Sequence, residues 1–308
     1  MLATKPLLIC VVGPTAIGKT ALSIEIARFF STEIISADSR QFFKEMTLGT
    51  AVPSVEELTA APHHFIQNRS IQEEYSVGDF EKEALYQLDE LFKTHPTVVL
   101  VGGSGLYVDA VAKGLDNFPK VPANIREELN TTFQTLGLLP LQEELMRVDP
   151  DYYEKVDLNN HHRLIRALEI YRGTGKPFSS FLNQVPAKRN FNTLFIGLTA
   201  ERAIIYDRIN RRVDAMIDSG LVEEAQGLLS QKKLNALQTV GYRELFQHFE
   251  GTLSLAEAIS EIKKNTRRFS KRQVTWFKKN DAIYWFDYET NPSVIIKFIQ
   301  EKTKTSLY

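Results

Sequence analysis

The stretch CVVGPTAIGKTALSIEIA, residues 10–27, decides the fold. It sets Gly13, Gly18, Lys19 and Thr20 in the spacing G-x-x-x-x-G-K-[ST], after an apolar run Leu7–Val12 and before a helical pattern from Ala21 to Phe30. Strand, loop and helix in that order are the context a phosphate loop needs. Its backbone N–H groups can face an anion, and the helix start adds a favourable dipole. Lys19 supplies a positive charge and the Thr20 hydroxyl a ligand for Mg²⁺. By motif alone, the loop reads as a nucleotide site, ATP included.

Two further strands are expected from the sequence. Glu33–Ala37 runs into Asp38-Ser39-Arg40-Gln41, and Val98–Val101 runs into Gly102-Gly103-Ser104-Gly105-Leu106-Tyr107. Ligands of open α/β sheets bind at the carboxyl ends of the strands, so all three loops should open on one crevice. The third strand offers glycine where an ATPase commonly places a magnesium-holding aspartate, which counts against simple ATP hydrolysis. Asp38 has three readings that spacing does not separate: a metal-holding carboxylate, a general base, or a helix cap.

The 308 residues allow one large domain or a main domain with a smaller one. With 43% hydrophobic and 24% charged residues, a soluble globular chain is expected; the net charge of -1 hides local asymmetry. One cysteine, Cys10, excludes an intrachain disulfide framework and suits a reducing compartment. No apolar stretch is long enough for a membrane span, so we expect a cytoplasmic protein with no membrane partner, and a monomer.

From Val121 the texture changes, with prolines at 122, 140, 150 and 177 between short helical patterns. Ile125, Leu129, Phe133 and Leu136 predict a helix ending at Gly137, and Leu141, Leu145 and Val148 predict another. Asn159 or Asn160 could cap a third, whose buried stripe is Leu164, Ile165, Leu168 and Tyr171 and whose end is expected near Gly173. We therefore divide the chain into a core of 1–120 with 190–308 and a mostly helical insertion at 121–189. Arg163 and Arg166 suit either phosphate contact or a solvated face. The pairs His63-His64 and His161-His162 lack zinc spacing and read as local packing or hydrogen-bonding residues.

Phe191–Leu198 reads as a returning strand. Arg202–Asp218 reads as a helix with Ile205, Ile209, Val213 and Met216 inward, carrying Arg208, Arg211 and Arg212. Those guanidiniums could grip a phosphate or simply be solvated. The strongest charge signal is KKNTRRFSKRQVTWFKK, residues 263–279, with eight lysines and arginines and no acid. On a helix, Lys264, Arg268 and Arg272, with Arg267 and Lys271 beside them, would make a continuous positive stripe able to attract a nucleic-acid backbone. Trp276 suits a stacking platform or a core anchor, and the core is the expected place.

GPTAIGKT (13–20), ISADSRQ (35–41), GGSGLY (102–107), HRLIRALE (162–169), QTVGYRE (238–244) and KRQVTWF (271–277) occur in this order across most of the chain. Together they resemble the tRNA dimethylallyltransferases, also called tRNA isopentenyltransferases. The resemblance implies a P-loop NTPase-like parallel sheet flanked by helices with a helical insertion. It implies transfer of a dimethylallyl group from dimethylallyl diphosphate to N6 of the adenosine beside the anticodon of tRNA, releasing diphosphate. By the same resemblance Asp38 is the general base, and Gly13, Pro14, Thr15, Ala16, Ile17, Gly18, Lys19 and Thr20 hold the diphosphate. Arg212 assists its departure, and Thr20 meets Mg²⁺. The tRNA contacts implied are Asp38, Ser39, Arg40, Gln41 and Ser104. Further along they are His162, Arg163, Leu164, Ile165, Arg166, Gln238, Gly241, Tyr242, Arg243, Lys271, Arg272, Gln273, Trp276 and Lys278. The family's loop often carries serine where this chain has Ile17, which removes one side-chain donor and leaves the backbone cradle.

Three other readings are open. An adenylate isopentenyltransferase acting on free AMP, ADP or ATP would share loop and base but have little use for the basic stripe. A P-loop small-molecule kinase would use the insertion as a lid. A non-enzymatic RNA-binding module would merely retain the loop.

Overall fold

Leu7–Val12 is β1, and every residue from Leu8 to Val12 has no exposed surface, as the central strand of a covered parallel sheet requires. The architecture is that of a computed structural model, which describes residues 5–182 and 188–305. In chain order the first elements are β1, α1 (Lys19–Phe29), β2 (Ile34–Ser36), α2 (Val55–Ala60), β3 (His63–His64), α3 (Val77–Leu91), β4 (Thr97–Gly102) and α4 (Gly105–Lys113). Four helices follow: α5 (Ala123–Leu136), α6 (Leu139–Val148), α7 (Pro150–Tyr153) and α8 (His161–Thr174). The rest is β5 (Asn192–Thr199), α9 (Arg202–Asp218), α10 (Leu221–Gly227), α11 (Tyr242–Phe249), α12 (Leu255–Phe277), β6 (Ile283–Asp287) and α13 (Pro292–Thr305).

The chain divides into two compact units, residues 1–113 with 188–308, and residues 114–187. In the first, six parallel strands lie in the order β3-β2-β4-β1-β5-β6, with Ile9 paired to Val99 on one side and Leu194 on the other. Alternation along β1 feeds both faces. Leu8, Cys10 and Val12 join a core with Phe42, Phe80, Leu88 and Leu100, while Ile9 and Val11 join one with Ile26, Val99, Ile196 and Ile295. A third cluster, built on Met46, Val213, Leu221, Tyr242, Phe246 and Ile262, gathers α9 to α12. Parallel strands put the loops after β1, β2 and β4 at one edge, which is the arrangement that brings the site together.

The second unit is helical and has its own core of Leu129, Leu141, Leu145, Leu164, Ile165 and Leu168. Asn160 caps α8 by accepting the Arg163 N–H at 3.3 Å. The helix ends at Thr174, beside the expected Gly173. A Cβ at Gly173 would stand 2.3 Å from the Val121 side chain, so that glycine serves close packing, and the left-handed turn falls at Gly175, φ +71°. Residues 183–187 of the expected insertion lie outside the described residues. Among the described residues, no helix is long and apolar enough to cross a membrane.

Candidate active site

The phosphate loop passes from β1 into α1, with Gly18 at the N-cap and the first-turn N–H groups of α1 free of helical partners. Ile17, at the position where serine is frequent, is buried against Ile9, Val11 and Leu198 and anchors the loop from beneath. Lys19 Nζ donates to the Pro14 carbonyl at 2.7 Å. Burial, and secondly the Arg212 charge, push its ammonium down to about 7, with Asp38 opposing.

α9 supplies three arginines to the mouth of the loop, and they differ in role. Arg208 Nε donates to the Ala16 carbonyl at 2.7 Å, bracing the loop, and its guanidinium lies over Tyr288. Arg212 reaches the Thr15 hydroxyl at 3.3 Å. Burial lowers its affinity for a proton, a cost that the Asp38 charge offsets. Arg211 is exposed and paired with Asp207.

Asp38 follows β2, and its Oδ1 accepts the Arg40 N–H at 2.9 Å. Ser104, after β4, joins the same edge: its hydroxyl accepts the Ser39 N–H at 3.1 Å and lies 3.2 Å from the Ser39 hydroxyl. Asp38, Thr15, Arg212 and Ser104 border one cavity of about 230 Å³, whose remaining wall includes Ile209, Val213, Met216, Leu221, Val240, Ile262 and Phe269. The lining therefore joins the charged Asp38, Arg40 and Arg212 to a larger set of apolar side chains.

Several expected contact residues are engaged elsewhere. The Gln41 amide donates to the Thr50 and Ala51 carbonyls at 3.2 and 2.8 Å and accepts from the Ser36 hydroxyl. Arg40 donates to the Asn235 carbonyl at 3.1 Å. Leu164, Ile165 and Tyr242 are buried in cores, so their side chains are closed to RNA. Gly241 is buried on the cavity wall, and Gln238 donates to the Lys232 carbonyl. His162 and Arg163 are exposed at the start of α8, whereas Arg166 pairs with the buried Glu169 at 3.0 Å. Arg243 is exposed.

The basic stripe of α12 is not continuous. Lys263 pairs with Asp214, Lys264 with Glu261, and Arg267 donates inward to Asn210, so among the described residues the exposed cations of this stretch are Arg268, Lys271 and Arg272 on α12 and Lys278 and Lys279 just after it. Trp276 is 39% exposed rather than a core anchor; its ring lies against Gly105 and its indole N–H donates to Asp109 at 2.8 Å. His63 and His64 form β3, with His64 Nε2 2.5 Å from Glu33, and His161 stacks on Phe133.

Sequence reasoning passed over Glu224. On α10, its carboxylate accepts the N–H groups of Thr47, Leu48 and Gly49 at 3.1, 2.8 and 3.0 Å and the Tyr242 hydroxyl at 2.6 Å, holding the Gly49-Thr50 wall of the cavity. A short LVEEAQG helix carries no motif that distinguishes this glutamate from its neighbour.

The geometry has close counterparts. The chain is 58% identical over 306 residues to a tRNA dimethylallyltransferase of Flavobacterium johnsoniae, covering 97% of this chain and 99% of the relative. It is 60% identical over 298 residues to one of Christiangramia forsetii, with the same shares. The crystal structure of a full-length tRNA isopentenylpyrophosphate transferase from Bacillus halodurans matches with a TM-score of 0.73 at 36% identity, covering 99% of this chain and 100% of that one. A eukaryotic dimethylallyltransferase crystallised acting on tRNA matches with a TM-score of 0.81 at 26% identity, covering 98% and 80%. The family model described as IPP transferase matches residues 41–280, and the chain belongs to that family.

Proposed function

We propose that the protein transfers a dimethylallyl group from dimethylallyl diphosphate to N6 of the adenosine that follows the anticodon in tRNA, releasing diphosphate. The observation that carries this reading is one cavity lined both by Thr15, Asp38 and Arg212 and by Ile209, Val213, Met216, Ile262 and Phe269. A prenyl diphosphate matches that lining, with a charged head and a tail that is hydrocarbon throughout.

In the reaction, the C–N bond forms at C1 of the prenyl group while the C–O bond to diphosphate breaks, and the leaving group takes the electron pair. An exocyclic adenine amine is a poor nucleophile, since its lone pair is delocalised. The Asp38 carboxylate takes its proton as the bond forms. The free N–H groups at the start of α1, with Lys19 and Arg212, face the charge that grows on the leaving oxygens. Arg208 holds the loop in shape through the Ala16 carbonyl. The apolar wall orients the allylic carbons and keeps water from an ionising centre.

Mg²⁺ fits this donor set. It takes hard oxygen ligands, few of them from protein and the rest from phosphate and water, and the Thr20 hydroxyl at the first turn of α1 is of that kind. Mg²⁺ is usually held by one or two protein oxygens together with substrate phosphates, so the ion would arrive with the diphosphate. When bound, it neutralises the departing charge.

The acceptor side is supported by exposed side chains: Arg268, Lys271 and Arg272 on α12 and Lys278 just after it, Arg243 on α11, and His162 and Arg163 at the start of α8. The target base must leave its stack, at a cost of a few kcal/mol, least in a loop already unpaired.

The test is transfer of label from dimethylallyl diphosphate, with Mg²⁺, to a tRNA whose anticodon is followed by adenosine. Label in that tRNA is expected. Label in AMP alone would make this an adenylate enzyme, and ATP consumption dependent on a small alcohol would make it a kinase.

A further inference from the structure

We infer that Gln273 is a positioning residue of the phosphate loop, which sets Thr15 and through it Arg212, and not a contact to the RNA. The inference rests on the prenyl-transfer reading above and assigns a duty within its donor half.

Gln273 lies in KRQVTWF on α12, between the exposed Arg272 and the half-buried Val274, and is itself only 6% exposed. Both ends of its amide are used. Oε1 accepts the Thr15 N–H at 2.8 Å, and Nε2 donates to the Gly103 carbonyl at 2.9 Å. One planar group thus ties the loop after β1 to the turn after β4. A Cβ on Gly103 would stand 2.3 Å from Nε2, so the bond exists only because that residue is glycine.

Thr15 is the hinge of the arrangement. Its N–H is spent on Gln273, its hydroxyl meets Arg212, and it borders the cavity. The N–H that many phosphate loops could aim at an anion is here turned to a helix side chain, which leaves the start of α1 to receive the phosphates. Trp276, about one turn beyond Gln273, fixes the same face of α12 through Gly105 and Asp109. The register of Gln273 is therefore set from inside the protein. The cations able to meet RNA, Lys271 and Arg272, are exposed while Gln273 is buried.

Loss of the amide leaves the part-buried Thr15 N–H without its acceptor and frees Thr15 from its place beside Arg212. The damage should fall on diphosphate and spare RNA. The test measures inorganic pyrophosphate binding by calorimetry with Mg²⁺ present, tRNA binding by filter retention, the KM for dimethylallyl diphosphate, and thermal stability. Gln273→Met keeps the length and loses both bonds. Its pyrophosphate affinity and KM should worsen about tenfold, with tRNA affinity within about twofold. The pair Lys271→Ala with Arg272→Ala should do the reverse. Gln273→Glu keeps the Thr15 acceptor but sets an oxygen against the Gly103 carbonyl, so its defect should have the same direction; it serves if the Met variant does not fold. Weakened tRNA binding with pyrophosphate binding intact would overturn the inference. So would equal losses of both that track a fall in thermal stability. A wild-type protein that binds pyrophosphate yet modifies no tRNA would sink the prenyl-transfer reading instead, and the effect of Gln273 on pyrophosphate would still be measurable.

Discussion

The Tyr242 hydroxyl donates to Glu224 at 2.6 Å, and the same carboxylate accepts three consecutive backbone N–H groups from Thr47 to Gly49. One buried phenol and one acid therefore hold a wall of the cavity. Burial, with Glu224 beside it, pushes the Tyr242 hydroxyl up, so it stays a donor throughout the working range of pH. Tyr242→Phe should cost about 1 kcal/mol of stability and Glu224→Gln about 3 kcal/mol, because an amide nitrogen then faces donors. Urea unfolding of both variants checks the order; a Glu224→Gln protein as stable as wild type would show that the loop finds other acceptors.

The carboxylate proposed as base also accepts the Arg40 N–H through its Oδ1. Asp38→Asn keeps that acceptor and removes the base. We expect the single-turnover rate to fall about 10²- to 10⁴-fold, with tRNA affinity little changed. A rate close to wild type would assign the proton to another acceptor.

Lys19, held down to about 7, is partly neutral in the free protein at neutral pH. An arriving diphosphate restores its charge, so binding should take up a proton above about pH 7. Diphosphate affinity should weaken as pH rises through that value. The sign for folding is opposite: the unfolded chain holds its lysine proton up to about pH 10.4, so in the window from about 7 to 10.4 the unfolded state binds more protons and stability rises with pH. Titration calorimetry in buffers of different ionisation enthalpy measures the uptake, and Lys19→Met should abolish it.

The cations of α12 should divide into two classes. Arg268, Lys271 and Arg272 are exposed, so replacing all three with alanine should reduce the slope of log affinity for tRNA against log salt by about two to three. Lys263 and Lys264 are paired with Asp214 and Glu261, and their loss should leave the slope nearly unchanged. Equal effects from both sets would mean that the ion pairs open on RNA.

Much of this was legible because a few residue types have few uses. Apolar Leu7–Val12 before GPTAIGKT reads as strand and phosphate loop, and α9 spans the expected Arg202–Asp218. The end of α8 near Gly173 was legible too, but the reason for that glycine was not: Val121 occupies the space a side chain would need. The stripe of α12 was misread because sequence shows a cation's period and not its partner; Asp214 and Asn210 are about fifty residues or more away along the chain. Glu224 was invisible for a related reason. Its four donors come from two distant segments, and only the fold brings them to one carboxylate.

The bond between Gln273 and Thr15 spans 258 residues, and this fixes when the site can exist during synthesis. At about 5–20 residues per second the ribosome needs roughly 13–50 s to travel that distance. The phosphate loop is made long before it acquires all its bonds. Meanwhile β1 waits for β4 and then β5 to cover its two edges. A chain halted before residue 273 would carry every residue of the GKT motif with the Thr15 N–H still open. The loop is thus left without its bond to α12 until that helix has been made.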